Sequence, residues 1–300
     1  MKTAKPYSED NVFKAHARRR QSDFREKVLH VDFDDSNPRA QYGNLLPKEE
    51  ATQGLIFYKG YRDHIMKVAE DRYGKINGTI RYSNLLRSEH IPLNIFAPME
   101  KSIEKAVELF NDIILGGIAR IEGIHIEHPR KYNPDKYLKD KTSFDTFISY
   151  KTTTGLRGGI GIEVKYTEEG YKIGVEEKKH MADSDHPYTT VTKACGYFLD
   201  PKPENFKSDH LRQIWRNHIL GASMVQAGEL DVFHCIHLYP KRNAHFDEFA
   251  IPRYIEHLTE KGKKSFIGLT YENLFLLMGK YFTPPQETDW IEYLKQRYLF

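Results

Sequence analysis

The chain has 300 residues, of which 39% are hydrophobic and 29% are charged. This composition is typical of a globular protein with a sizeable core, and it excludes collagen-like, low-complexity and wholly disordered chains. The 45 Lys and Arg residues nearly balance the 42 Asp and Glu residues, which leaves a formal net charge of +3. The total charge therefore identifies no partner, and a nucleic-acid substrate must be inferred from where the charges lie.

The cysteine content and the apolar segments favour an intracellular location. The two cysteines, Cys195 and Cys235, are too few for a disulfide framework, and we expect reduced thiols. The N-terminal residues MKTAKPYSED contain no apolar signal segment, and no stretch approaches the roughly 18 apolar residues of a membrane span. We therefore expect a cytoplasmic protein with no membrane partner.

The first 98 residues are predicted to form a mostly helical or irregular extension. They are polar and rich in charge, with a helix-like pattern of apolar residues between Gly54 and Tyr73. The basic run Arg18-Arg19-Arg20 has two interpretations, a solvated helix end and an arm that contacts phosphate. No linker rich in Pro, Gly and Ser separates this region from the next one.

Residues 99–240 have the clearest pattern, and we interpret them as the core. Apolar residues spaced by three and four predict a helix over 100–115, which Gly116-Gly117 ends. Alternating apolar residues then predict three strands, over 118–128, 143–150 and 159–166. The Thr- and Gly-rich segment 151–158 is typical of a hairpin connection. A second helix and a fourth strand are predicted over 211–227 and 231–239.

This order of elements indicates an α/β fold. Three consecutive strands between helices, followed by a strand that a helical connection reaches, predict a mixed sheet with helices on both faces. Residues 241–300 are predicted to form a C-terminal helical region packed on the core, with helices around 251–259, 270–281 and 289–298. The domain organisation is therefore an extension over 1–98, a core over 99–240 and a helical region over 241–300.

The third predicted strand displays two charged side chains on one face. Alternation places Ile160, Ile162 and Val164 on one side of the sheet, and Glu163 and Lys165 on the other. Neighbouring glycines leave room for a ligand to approach the backbone. Taken alone, a Glu-x-Lys triplet is most often a surface ion pair on an exposed strand.

A second carboxylate on the preceding strand favours a functional interpretation. Asp145 lies between Phe144 and Phe147, at a position where strand propensity disfavours aspartate. If the two strands pair as a hairpin, Asp145 reaches the same volume as Glu163. Carboxylate oxygens suit Mg²⁺ or Mn²⁺, and a nearby ammonium suits a phosphate oxygen or a developing hydroxide.

These segments resemble a known family. The runs Phe144-Asp145-Thr146-Phe147 and Gly159 to Glu168 are similar to the motif of the PD-(D/E)XK nuclease superfamily, which has the restriction-endonuclease-like fold. The segments Arg87 to Phe96 and Ile214 to His218 resemble counterparts in a group of bacterial nucleases of that superfamily. The resemblance covers about residues 85 to 240 and, more weakly, both ends of the chain. The predicted αβββαβ order is also that of the superfamily core. Phe144 stands where the motif has proline, a residue that many members lack.

The resemblance implies roles for particular residues. Asp145 and Glu163 would be the metal-binding carboxylates, and Lys165 would be the lysine near the attacking water. Some members add a further acidic ligand, for which Glu127, near the end of the first strand, is the better candidate. Glu104 on the first helix is the other candidate, and a solvent-facing glutamate is an equally good interpretation of Glu127.

The second helix offers candidate nucleic-acid contacts. Gln213, Arg216 and Asn217 form a polar stripe beside Trp215, and in this fold the corresponding helix can border the active site. Gln213 and Arg216 are therefore candidates for contacting phosphate. A solvated helix face is the alternative interpretation of this stripe.

The implied function is a metal-dependent endonuclease that hydrolyses DNA phosphodiester bonds with Mg²⁺ or Mn²⁺, in restriction, defence or DNA repair. Cutting both strands with this fold often uses two active sites, which suggests a homodimer. One alternative is a catalytically inactive nucleic-acid-binding accessory protein with a nuclease fold, against which the intact Asp-Glu-Lys set counts. Another is a metal-free enzyme with paired carboxylates, such as a glycosidase, which the lysine beside Glu163 disfavours.

Overall fold

A five-stranded sheet lies at the centre of the described structure. The computed structural model describes residues 4–33, 37–130, 133, 135–170 and 172–300. Within these residues the strands lie side by side in the order β1-β2-β3-β4-β5. Their bounds are β1 Ile118–His128, β2 Phe144–Thr152, β3 Arg157–Val164, β4 Val232–Tyr239 and β5 Phe266–Thr270.

Helices precede, interrupt and follow the strands. Those before β1 are α1 Val12–Lys27, α2 Lys48–Thr52, α3 Arg62–Tyr73, α4 Ile80–Ser83, α5 Ile91–Phe96 and α6 Ile103–Ile113. Those between β3 and β4 are α7 Val175–Ala182, α8 Pro187–Ala194 and α9 Arg212–Gln226. Those after β4 are α10 Ile251–Glu256, α11 Glu260–Ser265, α12 Tyr271–Tyr281 and α13 Pro285–Tyr298. No helix in the described ranges is long and apolar enough to cross a membrane.

The predicted fold class is confirmed. The chain runs through α6, three strands, α9 and β4, which is the predicted αβββαβ order. The α/β structure has a mixed five-stranded sheet flanked by helices, consistent with a restriction-endonuclease-like fold.

The chain forms two compact units. The first comprises Met1–Leu109, Val164–Thr167 and Thr270–Phe300, and the second comprises Phe110–Glu163 and Glu168–Leu269. Sequence-distant helices meet within the first unit, where Gln21 of α1 donates a hydrogen bond from Nε2 to the backbone oxygen of Arg297 in α13, at 2.8 Å. The division at residues 98 and 240 stays a prediction.

The pairing of the first three strands follows from their apolar alternation. β1 pairs with β2 and β2 pairs with β3, both antiparallel. Ile148 and Ile160 lie directly opposite each other and are fully buried. Pairing continues as far as Lys151 and Arg157, so the connection between β2 and β3 is shorter than the predicted segment 151–158.

Two regions contain elements that the pattern did not predict. No element is predicted between β3 and α9, yet this connection contains α7 and α8. The region 241–300 was expected to be helical, yet residues 266–270 form the edge strand β5 beside β4. Five residues are too few to show a reliable alternation, so the neighbouring strand, rather than local pattern, makes this segment a strand.

Aromatic packing fixes α9 in the second unit. Trp215 is fully buried, and its ring stacks on Phe206 with centroids 5.5 Å apart. Tyr188 of α8 contacts the same indole edge-on, at 5.2 Å. Further along the helix, Gly221 faces Phe233 of β4 so closely that a Cβ there would lie 2.0 Å from the ring.

Replacing Gly221 with alanine should destabilise the protein by about 1–3 kcal/mol, because the methyl group would overpack the contact with Phe233. Gly279 in α12 is a matched control, since it is exposed and a Cβ there meets nothing within 4 Å. Gly279→Ala should be neutral or stabilising by up to about 1 kcal/mol. Urea unfolding measures both, and equal effects of the two variants would contradict the packing described for α9.

Burial of His218 predicts a dependence of stability on pH. Its Nδ1 lies 2.8 Å from the Tyr254 hydroxyl and its Nε2 lies 2.7 Å from the Ser265 hydroxyl. Burial disfavours the charged imidazolium and lowers the pKa of His218 to about 3. The unfolded chain, with a histidine pKa of about 6.5, therefore binds more protons below that pH. The free energy of unfolding must fall as the pH drops from about 6.5 towards 3.

His218→Gln should reduce this slope by up to about 1.4 kcal/mol per pH unit, because glutamine takes up no proton on unfolding. Urea unfolding between about pH 4.5 and 7.5 measures the slope. The exposed His16, replaced in the same way, is the control, and its curve should follow the wild type. Curves of His218→Gln and wild type that run parallel over the whole range would show that His218 is not buried as neutral imidazole.

Candidate active site

The register of β2 and β3 brings two carboxylates to neighbouring positions. Thr146 lies opposite Ile162, and Phe147 lies opposite Gly161. Continuing this register by one residue on each strand sets Asp145 directly opposite Glu163. Opposite residues of an antiparallel pair project from the same face with Cβ atoms about 4.5–5.5 Å apart.

Two side-chain amides of α9 hold the carboxylate of Glu163. Glu163 is only 4% exposed. The Nε2 atom of Gln213 donates a hydrogen bond to Oε1, and Nδ2 of Asn217 donates one to Oε2 at 2.6 Å. These donors are four residues apart on the helix and therefore share one face. Each oxygen of the carboxylate thus has an amide donor in place of lost water, and its orientation is fixed.

Asp145 is close in β2 to two aromatic residues whose rings stack on each other, Phe144 and Phe147. It is half-buried at the second position of β2. The ring of Phe147 stacks on Phe144 with centroids 5.9 Å apart, and on His128 at 4.4 Å. Burial lowers the pKa of His128 to about 4, so this ring is neutral near pH 7. These three rings therefore add apolar surface, not charge, near Asp145.

Glu127 occupies the corresponding position on β1 but does not complete a three-acid cluster. The pairs Ile126 with Thr146 and His128 with Phe144 set it opposite Asp145. Its φ of +50° is left-handed, which interrupts the alternation of side chains at this end of the strand. Across the described residues, no group of three or more His, Cys, Asp or Glu side chains has an arrangement that could hold a metal ion.

Lys165 follows the end of β3, two residues after Glu163. Its side chain is buried, and its backbone oxygen accepts a hydrogen bond from the Tyr271 hydroxyl at 2.6 Å. Segment 164–167, which contains this lysine, belongs to the first compact unit. The backbone of Lys165 is thus fixed by the C-terminal part of that unit.

The donor chemistry of Asp145 and Glu163 fits a small divalent cation. Mg²⁺ and Mn²⁺ prefer oxygen ligands, and Mg²⁺ is commonly bound by only one or two carboxylates together with waters and substrate phosphate. A carboxylate has about four lone-pair sites, and the hydrogen bonds from Gln213 and Asn217 use one on each oxygen of Glu163. The two carboxylates therefore suffice for such an ion without a third acidic ligand.

The two predicted phosphate contacts on α9 have different surroundings. Gln213 bonds Glu163, as described above. The guanidinium of Arg216 bonds Glu177 Oε1 at 2.9 Å and Asp140 Oδ2 at 3.2 Å, and also donates to the Thr142 hydroxyl. Two acidic partners offset the charge of Arg216. In this conformation it ties α9 to the segment before β2 and to α7.

Three other basic residues are also paired with acids. Within the described residues these ion pairs are Arg18 with Asp10, Lys179 with Glu176, and Arg212 with Glu177 and Asp209. In each pair the acidic side chain offsets the positive charge of its basic partner. The positive charge at these positions is therefore not gathered into a separate basic surface.

Sequence reasoning did not assign Asn217 a role. It was grouped with the polar stripe, for which a solvated face was one interpretation, but Asn217 is only 2% exposed. The available signal is its position four residues after Gln213, which places both amides on one side of α9. Nothing local shows that this side faces a carboxylate 54 residues earlier in the chain.

Comparison with known proteins settles the family. A family model described as the PD-(D/E)XK nuclease superfamily matches residues 8–300. The chain belongs to this superfamily. No curated protein and no solved structure gives a significant match. The match includes α1 to α5 and α10 to α13, so the superfamily relationship extends well beyond residues 85 to 240, where the resemblance is strongest.

Asn217→Asp should destabilise this nuclease-superfamily chain, since it places a second carboxylate where the amide now lies 2.6 Å from Glu163. The two carboxylates repel each other when both are charged, and proton uptake by the new aspartate at low pH relieves this repulsion. The loss in free energy of unfolding, about 1–3 kcal/mol or more near pH 8, should therefore shrink near pH 5. Urea unfolding at both pH values measures it.

Asn273→Asp is the matched control for this substitution, because Asn273 is exposed on α12. It should change stability little, and by a similar amount at both pH values. If Asn217→Asp reduced the free energy of unfolding equally at both pH values, the Asn217 amide would not be bonded to an ionised carboxylate.

Proposed function

We propose that the protein is a Mg²⁺- or Mn²⁺-dependent endonuclease that hydrolyses DNA phosphodiester bonds, with Asp145, Glu163 and Lys165 as its catalytic residues. Membership of the nuclease superfamily supports the reaction class. The proposal is supported by the register of β2 and β3, which pairs Thr146 with Ile162 directly beside Asp145 and Glu163, and by the amide bonds that orient Glu163.

The two carboxylates have complementary roles in this proposal. Glu163 is buried and rotationally fixed, so it supplies a metal ligand of constant geometry. Asp145 is half-buried and is the more accessible of the two to a substrate arriving from solvent. A divalent cation held by this pair would offset charge on the scissile phosphate and lower the pKa of a bound water. Glu127 is the further candidate ligand.

Lys165 supplies the positive charge. Its ammonium would orient the attacking water or stabilise the charge that develops on the phosphate oxygens. Gln213 acts through Glu163 in this proposal, as a positioning residue. Arg216 would contact a nucleic-acid phosphate only after leaving Asp140 and Glu177, so we assign it a structural role first.

The proposal extends to a cytoplasmic enzyme of restriction, defence or DNA repair that acts as a homodimer on double-stranded DNA. The runner-up is an inactive accessory protein that binds nucleic acid without cutting it. Loss of activity releases catalytic residues from constraint, whereas Asp145, Glu163 and Lys165 are all present. We therefore favour the active enzyme.

Asp145→Asn, Glu163→Gln and Lys165→Met should each reduce Mg²⁺-dependent cleavage of plasmid DNA by at least about 100-fold, because each removes a charge from the reacting centre. The exposed Asp185→Asn and Lys193→Met are charge-matched controls that should cut like wild type. Circular dichroism verifies that each variant is folded. Folded Asp145→Asn with wild-type cleavage would refute the assigned site, and binding without metal-dependent cleavage by wild type would favour the accessory protein.

A further inference from the structure

A cationic cavity lies within the first compact unit. Its volume is about 750 Å³, within the range of about 300–1,000 Å³ that is typical of small-molecule sites. Lys59, Arg62, Lys67 and Lys101 line it. In the part of the chain that the structure describes, none of these four side chains forms an ion pair with an acid. Positive charge is therefore concentrated at this cavity. It is not concentrated at Arg18, Arg212 and Arg216, which are paired with acids.

The acidic residues that line the cavity offset only part of this charge. Glu287 is buried and accepts hydrogen bonds from Lys105 Nζ at 2.5 Å and from the Ser102 hydroxyl at 2.6 Å. The charge of Glu287 is therefore offset by Lys105, which is not one of the four cations that line the cavity. Asp63 is the other acidic lining residue, and it is exposed. Four cations against this remaining carboxylate leave the cavity positive, which suits an anionic ligand.

Two further features of the cavity wall are suited to phosphate. Helix α3 begins at Arg62, and the preceding Tyr61 makes no side-chain cap, so the N–H groups of its first turn and its positive dipole end lie at the cavity. The Nε atom of Arg62 is buried and has no hydrogen-bond partner among the described residues. Because a buried donor without a partner is unfavourable, a ligand in the cavity that accepts a hydrogen bond from this N–H would be stabilised.

A second cavity adjoins the first and has a different character. It has a volume of about 460 Å³ and shares Lys59 and Arg62 with the cationic cavity. Its remaining wall includes the rings of Tyr58 and Tyr293, whose centroids are 5.1 Å apart. It also includes Glu292 and Asp289, and Asp289 accepts a hydrogen bond from the Tyr58 hydroxyl at 2.6 Å. The two tyrosine rings suit a flat aromatic group. A ligand that fills both cavities would therefore join an aromatic part to an anionic part.

Buried polar contacts hold this wall in place without a ligand. Asn94 is fully buried, accepts from the backbone N–H of Tyr58 at 2.9 Å and donates to the backbone oxygen of Ile56 at 3.0 Å. The guanidinium of Arg297 also donates to the Ile56 oxygen. The chain that leads into Lys59 and Arg62 is thus pre-organised, which reduces the entropy lost on binding.

We propose that the two adjoining cavities form a nucleotide-binding site, with phosphates on Lys59, Arg62, Lys67 and Lys101 and the base against Tyr58 and Tyr293. The site shares no residue with the candidate active site and does not depend on the proposed nuclease function. A free nucleotide and a nucleotide within a single strand present the same chemistry, and the experiment below distinguishes them.

Isothermal titration calorimetry of the full chain in EDTA, without divalent metal, tests this site. The probes are ATP, GTP, tripolyphosphate, adenosine and a ten-residue oligothymidylate. A nucleoside triphosphate should bind at one site and at least about tenfold more tightly than tripolyphosphate or adenosine, because only it fills both cavities. If the oligonucleotide binds more tightly than both triphosphates, and through the same residues, the natural ligand is a strand.

Lys67→Ala and Lys101→Ala each remove an exposed cation, so folding should be unaffected, and each should weaken binding at least about tenfold. Lys75→Ala, an exposed lysine outside both cavities, is the control and should bind like wild type. Asp185→Asn, an exposed carboxylate outside both cavities and outside the candidate active site, should also bind like wild type.

Three results would overturn the proposal. The first is the absence of saturable binding of ATP, GTP and the oligonucleotide up to about 1 mM. The second is equal affinity for ATP, GTP and tripolyphosphate. The third is binding that neither Lys67→Ala nor Lys101→Ala weakens.

Discussion

The hydrogen bonds from α9 to Glu163 are the interaction on which the candidate active site depends. A carboxylate that is 4% exposed is costly unless donors replace its lost water, and here two side-chain amides of one helix donate to it. They tie the rotation of α9 to the position of β3. Trp215 lies between the two amides in sequence and therefore points away from them, onto Phe206. The helix is thus held by polar contacts on one side and by aromatic packing on the other.

Charge in this protein is organised by local pairing, which the net charge of +3 does not reveal. The sequence offers Arg18 and Arg216 as candidate phosphate contacts, yet each has an acidic partner in the structure, as does Arg212. The cations around the cavity of the first unit come from segments 59–67 and 101 and lack such partners among the described residues. Basic side chains that form no ion pair, rather than stretches of sequence rich in bases, therefore mark the candidate site for an anionic ligand.

Most of the core elements could be predicted because their patterns are local. β1 was predicted with its observed bounds, and β2, β3, α9 and β4 were predicted within two residues at each end. The helices α7 and α8 and the strand β5 were not predicted. They lie in polar or short segments whose secondary structure depends on neighbours, such as β4 beside β5, more than on their own residues.

The sequence by itself determined the αβββαβ order of the core elements, the place of Glu163 in β3, and the resemblance that the family match confirms. These follow from alternation, helical periodicity and short motifs, which are properties of neighbouring residues. The tertiary structure alone decided that Asn217 supports Glu163, that acids neutralise Arg216, and that four lysine and arginine side chains line one cavity. These contacts join residues tens of positions apart, and packing of the whole chain, not any local pattern, selects them.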